Sequence, residues 1–264
     1  MHLRPALSIA AIACALALPA SAAIKKVPYP EVKVELAEAF KPDAAFEAMR
    51  KKLSDAVAKK DAQALFTLVG PTFVWTFQGG ATEQFDMGRD ALHNFKVTFG
   101  FRPQGEDKDG PVENGPFWDL LAGFANDSTY YQDAQWGNLV CGPITANAVD
   151  DDVLEQARKK IEVGEEVADW YFTLAPTAVA KAPNDSGQPV GRVGLVALPA
   201  LSLFPPVEEG KPSVPATHVE VLLPNGKTGW VPVSAVRLYD AERLCYAKMA
   251  NGDWKIASYD QLGD

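Results

Sequence analysis

The sequence predicts an α+β protein: a helical N-terminal module followed by a small β-barrel that carries an added C-terminal hairpin. Three observations predict it. Apolar residues recur at helical spacing between Asp43 and Leu68. From Trp170 onward the texture changes to short β-rich runs separated by turn residues. Within that half, Leu222 to Val236 reads as two apolar runs around Asn225-Gly226, a pair that accepts the positive φ angles of a tight hairpin turn at least cost. The chain of 264 residues then divides into a processing segment (1–22), an extended arm (23–43), a mostly helical module (44–137) and a barrel region with one inserted helix (138–264).

The processing segment opens with His2 and Arg4, continues through the apolar run Ile9 to Leu18, and is broken at Pro19. Ala20-Ser21-Ala22 then places small residues before Ala23. The run is shorter than the roughly 20 apolar residues of a spanning helix. Cys14 follows Ala11-Ile12-Ala13, without the leucine of a lipidation site. Cleavage near Ala22 is expected, with the mature protein in the periplasm or secreted and no membrane span after processing. It removes Arg4 and no acid, so 25 basic and 34 acidic residues become 24 and 34, a balance of −10. That sign argues against nucleic acid and anionic membrane surfaces as partners, since both reward Lys and Arg clusters.

The arm carries Pro28, Pro30 and Pro42, each of which removes a backbone donor and turns its predecessor away from helix. Phe46, Met49, Leu53, Val57, Ala64, Leu65 and Leu68 then form an apolar stripe, split near Lys60-Asp61 into a longer and a shorter helix. Gly70-Pro71 stops the second one, Thr72 to Phe77 is β-rich, and Gly79-Gly80 is a turn. Gln104 to Gly115 is a charged Gly- and Pro-rich loop, and Phe117 to Phe124 a helix with Trp118, Leu121 and Phe124 as its stripe. Asn138 to Ile144 is a short strand. Asp150 to Asp152 open a helix whose acids sit at the positive end and whose Lys159 and Lys160 sit at the negative end. Seven short strands follow: Trp170–Leu174, Thr177–Lys181, Val190–Leu198, His218–Leu223, Thr228–Val233, Arg243–Met249 and Trp254–Tyr259.

Two stretches resemble known families. NGKTGWVPVSAV resembles the closing hairpin of the bacterial SH3-like domain, and AVAKAPNDSGQPVGRV takes the place of that family's first motif. Lys181 stands where the family has Arg, and His218 where a Trp is usual. The resemblance implies an SH3-like barrel, with Arg243–Tyr259 adding to the same sheet. AVAKKDAQALFTLVGPTFVWTF followed by GRDALHNFKVTFGF looks like the opening of a nuclear-transport-factor-like (cystatin-related) fold over residues 44–101. That resemblance implies an apolar cavity behind Phe73, Trp75 and Phe77. The long curved strands that the family needs next are not found after residue 101.

Cys141 and Cys245 remain after processing, and two thiols in an oxidising compartment favour a disulfide over two buried free thiols. No Gly-rich phosphate loop, His-Glu-x-x-His or Gly-x-Ser-x-Gly string occurs, and the mature chain keeps only His93 and His218. Asp150 to Asp152 and Glu165-Glu166 lack calcium-loop spacing and read as helix-end charges and a solvated face. No catalytic residue, metal or cofactor is assigned. Trp230 reads as core. Trp170, Tyr171 and Tyr239 either line a peptide groove or cement the barrel to the helical part. The expected function is a non-enzymatic envelope protein that binds a cell-wall component, a peptide or a partner protein. The alternative is a hydrolase or small-molecule binder with its pocket in the helical module. N-terminal sequencing of the exported protein is expected to begin at Ala23; a start at Met1 or at lipidated Cys14 refutes the processing.

Overall fold

Four of the five helices among the described residues begin in the same way, with an aspartate whose carboxylate accepts a backbone N–H three residues on. The computed structural model describes residues 24–77, 90–101, 117–133, 139–162, 169–206 and 214–261. Asp43 caps α1 (Ala44–Ala58), Asp61 caps α2 (Ala62–Phe66), Asp90 caps α3 (Ala91–Thr98) and Asp150 caps α5 (Asp151–Ile161). Such a cap satisfies a donor that the helix leaves open, worth about 1 kcal/mol. The fifth, α4 (Trp118–Asn126), starts without a side-chain cap. The expected processing segment, the Gly79-Gly80 turn, the Gln104–Gly115 loop and Glu165-Glu166 lie outside the described residues.

Helices α1 to α4 pack on one face of a five-stranded sheet. Its order is β2 (Val69–Phe77), β14 (Trp254–Gln261), β13 (Arg243–Lys248), β4 (Leu139–Gly142) and β3 (Tyr131–Asp133). β2 runs parallel to β14 and every other pair is antiparallel. The N-terminal half is therefore not a helical module alone. Phe46 is fully buried and meets Phe40, Tyr130, Tyr246 and Trp254 edge-on, with ring centroids 5.0–5.4 Å away. Such edge contacts suit the aromatic quadrupole and add to the area term.

The C-terminal hairpin corrects the sequence expectation. β13 and β14 join β2 and β4, not the barrel region, and β4 leaves that region too. The reason is burial on both faces. Leu244, Tyr246, Ile256 and Tyr259 face the helices, while Cys245, Ser258 and Asp260 are buried on the other side. A hairpin covered on both faces needs a layer on each, and only this sheet has helices on one side and the second half of the chain on the other. Cys141 and Cys245 are direct register partners across β4 and β13, bridged at a Cα separation of 4.0 Å.

Everything between β4 and β13 builds the second region. β9 (Val196–Phe204) is its organising strand. Its first half pairs with β6 (Trp170–Thr173), and its second half pairs with β10 (His218–Leu222). Sharing one strand in this way curls the antiparallel sheet into a half-barrel. β10 returns through a turn in which Gly226 has φ +81° to β11 (Thr228–Pro232). One 3₁₀ turn (Val233–Ala235) leads into β12 (Val236–Leu238), which pairs with β6. The small hairpin of β7 (Thr177–Val179) and β8 (Gly191–Val193) lies over β11, where Ala180 bridges Trp230. A Cβ on Gly229 would lie 2.5 Å from Val179 and 2.8 Å from the Ala180 carbonyl. Only glycine fits that crossing.

The extended arm is also corrected. β1 (Val32–Leu36) pairs with β9 at Val32–Ala197 and with β5 (Ala146–Val149) at Val34–Val149. The prolines at 28 and 30 precede the strand and cost it no ladder bond. Val32 and Val34 are buried with Tyr29, Trp170 and Phe172 beneath the apolar stripe of α5, Leu154, Ala157 and Ile161. No helix among the described residues is long and apolar enough to cross a membrane.

The disulfide closes a loop of 104 residues, for which the chain-entropy estimate is about 4–5 kcal/mol. The double variant Cys141→Ala/Cys245→Ala is expected to lose up to that much stability in urea unfolding. Wild type in reductant should behave the same way, and an unchanged midpoint in both refutes it.

Candidate functional site

At one end of the helix-covered sheet, the parallel pair β2–β14 places Trp75 opposite Tyr259, and the alternation of β14 puts Gln261 on the same face. α4 comes over this end with Trp118, Asp119 and Leu120, and Phe117 precedes it. Thr98 closes α3, Lys60 follows α1, and Glu242 stands just before β13. Together these residues line a pocket of about 580 Å³. That volume lies within the ~300–1,000 Å³ of small-molecule sites.

The walls are held from behind. The Tyr259 ring contacts Phe99 (centroids 5.1 Å) and Phe124 (6.1 Å), and Trp118 stands perpendicular to Phe101 at 5.1 Å. The Tyr259 phenol lies beside the Glu242 carboxylate. The Thr98 hydroxyl donates to Asn94 O of its own helix at 2.9 Å. Asp119 lies in the first turn of α4, where the helix end favours an acid. The lining is mixed: aromatic rings, two carboxylates, one ammonium and one amide.

Of the residues expected behind a cavity, Trp75 lines it. Phe73 is fully buried in the core instead, and the Phe77 side chain lies outside the described residues. Sequence reading missed Tyr259, Gln261 and Glu242 because it assigned the last hairpin to the other sheet. The signal that finds them is the burial of both faces of WKIASYDQ, which an edge hairpin does not need.

The three aromatics proposed for a groove do not share a surface. Trp170 is 4% exposed and packs edge-on against Tyr29 at 6.3 Å, beneath α5. Tyr171 points to the opposite face of β6, against the Val179 and Val231 cluster. Successive residues of a strand face opposite ways, so these two never line one groove. Tyr239 is half-buried on the Trp170 side, and its backbone N–H donates to Trp170 O at 2.7 Å. They are cement. Trp230 is likewise corrected: Val231 takes the core position, and Trp230 faces outward beside Phe204 at 6.1 Å. Asp150 caps α5, and Asp151 and Asp152 fill its first turn.

No family model, characterised protein or solved structure matches the chain.

The phenols set a pH dependence. Burial first, and then the Glu242 carboxylate, push Tyr259 far above the ordinary 10.0. Burial likewise pushes Tyr130 and Tyr131 up to about 12. Their native pKa values lie above the unfolded one, so the stability they contribute is intact below about pH 10 and lost as pH rises through the native values, where the unfolded chain releases protons the native state holds. Urea midpoints are expected to fall between about pH 10 and pH 12, and Tyr259→Phe should flatten that fall. An unchanged slope in Tyr259→Phe overturns the assignment.

Proposed function

We propose that the chain is an exported protein that binds a small molecule in the pocket between α4 and the β2–β14 edge. The observation that carries this reading is the mixed lining, in which Trp75, Trp118 and Tyr259 provide apolar contact and Glu242, Asp119, Lys60 and Gln261 provide convergent polar groups. Pockets that select a ligand combine those two features. The architecture supports the same reading. A helix pair, a strand, a further helix and a sheet whose first and last strands run parallel agree with a cystatin-related fold. In this reading β13 and β14 take the place of the long strands that such a fold needs after residue 101. The intervening region has strands β6, β9, β10 and β11 in a meander, a 3₁₀ turn, and β12 returning to β6, an order that agrees with an SH3-like barrel.

Binding fits better than hydrolysis. Among the described lining residues the aliphatic hydroxyl, Thr98, donates to its own helix, and neither a cysteine nor a histidine faces the pocket. A nucleophile and a base within reach of each other are what hydrolysis by a covalent route needs.

A second reading has its own observation. On the outer face of the meander, Phe204, His218 and Pro232 form one cross-strand row, and Ser202, Glu220 and Trp230 the next. The exposed Phe204 and the half-exposed Trp230 offer a surface for a cell-wall peptide or an envelope protein. A screen of small aromatic fragments by protein-observed NMR separates the two. Fragments are expected to shift the Trp75 and Trp118 indole resonances, and Trp75→Ala should weaken them by roughly tenfold. Shifts confined to Trp230, together with retention of the protein on isolated cell wall, favour the second reading and overturn the first.

A further inference from the structure

The pocket lining is unequal in charge. Glu242 and Asp119 bring two carboxylates and Lys60 one ammonium, while Trp75, Trp118 and Tyr259 bring π faces. These groups come from five separate parts of the fold: the end of α1, β2, the start of α4, the approach to β13, and β14. Among the described residues, the group beside the Glu242 carboxylate is the Tyr259 phenol. A carboxylate has about four acceptor sites, so most of its capacity remains for another donor or charge.

Each class of ligand meets this lining differently. An anion would meet two carboxylates against one ammonium. A neutral apolar molecule would fill the aromatic part but strip water from Glu242 without replacing it, and a desolvated, uncompensated charge is costly. A bare divalent metal ion needs six or more oxygen ligands, and most of this wall is ring and alkyl surface. A cation with an apolar shell satisfies both parts at once. Its charge lies beside the carboxylate and its alkyl groups lie on the rings, where the cation–π attraction grows as water is excluded.

We propose that the pocket takes an organic cation, a quaternary or substituted ammonium, held between Glu242 and the indoles of Trp75 and Trp118. This rests on the reading of the pocket as a ligand site. Asp119 adds long-range attraction, and Lys60 bounds the site on the side from which a second charge would be repelled.

The test uses three probes of one shape: choline, its neutral carbon isostere 3,3-dimethylbutan-1-ol, and the anion 3,3-dimethylbutanoate. Binding is followed by NMR of the Trp75 and Trp118 indole N–H groups. Choline is expected to bind roughly tenfold or more tightly than the alcohol, and the anion weakest. Glu242→Gln keeps an acceptor for Tyr259 and removes the charge; it should lower choline affinity roughly tenfold and leave the alcohol unchanged. Asp119→Asn should act in the same direction with a smaller loss. Equal binding of alcohol and choline, with Glu242→Gln without effect, overturns the cation while leaving the pocket as a ligand site. If none of the three probes shifts either indole, the cation and the pocket reading fall together.

Discussion

The pairing of β4 with β13 is the constraint on which the rest of the structure depends. These strands are neighbours in the sheet, yet all of the second region except β1 lies between them in sequence. Closing a loop of about 100 residues costs several kcal/mol of chain entropy before any contact rewards it. Three things offset that cost. The second region makes contacts local in sequence, with β10 and β11 joined by a tight turn. The apolar face of β13 then completes the core around Phe46. The Cys141–Cys245 bridge makes the closure covalent.

One buried ion pair spans the two regions, and a second lies within the five-stranded sheet. Asp127, at the end of α4, is the hub. One carboxylate oxygen accepts from the Thr129 N–H and hydroxyl, the other pairs with Arg237 of β12 at 2.7 Å, and its backbone oxygen accepts from Arg50 and Tyr130. A second contact joins Arg243, Asp260 and the Tyr131 hydroxyl on the buried face of the sheet, beside Ile144 and the disulfide. Both pairs are largely buried, where breaking one partner costs about 3–5 kcal/mol because the other charge is left behind. Such pairs add less to net stability than to geometry. The Asp127–Arg237 pair ties the end of α4 to β12 of the half-barrel.

Local signals in the sequence predicted local structure well. The α1 stripe and the hairpin at Asn225-Gly226 are each written in a few adjacent residues, and the structure has both, although of that pair only Gly226 takes a positive φ. The partners of each strand were not legible. Arg243–Met249 and Trp254–Tyr259 follow the barrel strands in sequence, and adjacency is the usual rule for pairing. An insertion breaks that rule, because the strand before it and the strand after it pair with each other. The same blindness hid the arm: Val32 and Val34 alternate with charged residues as a strand should, but Pro28 and Pro30 speak more loudly than two valines. Trp170 and Tyr171 were grouped for being aromatic, and period-two alternation alone was enough to separate them.

The candidate site inherits its logic from the insertion. Trp75, Thr98 and Trp118 come from residues before the second region, while Glu242, Tyr259 and Gln261 come from residues after it. Neither set makes a pocket alone, because Tyr259 is the register partner of Trp75 and the neighbour of Glu242. The pocket therefore exists only when β13 and β14 stand beside β2 and α4. A ligand that binds there stabilises that closure by mass action.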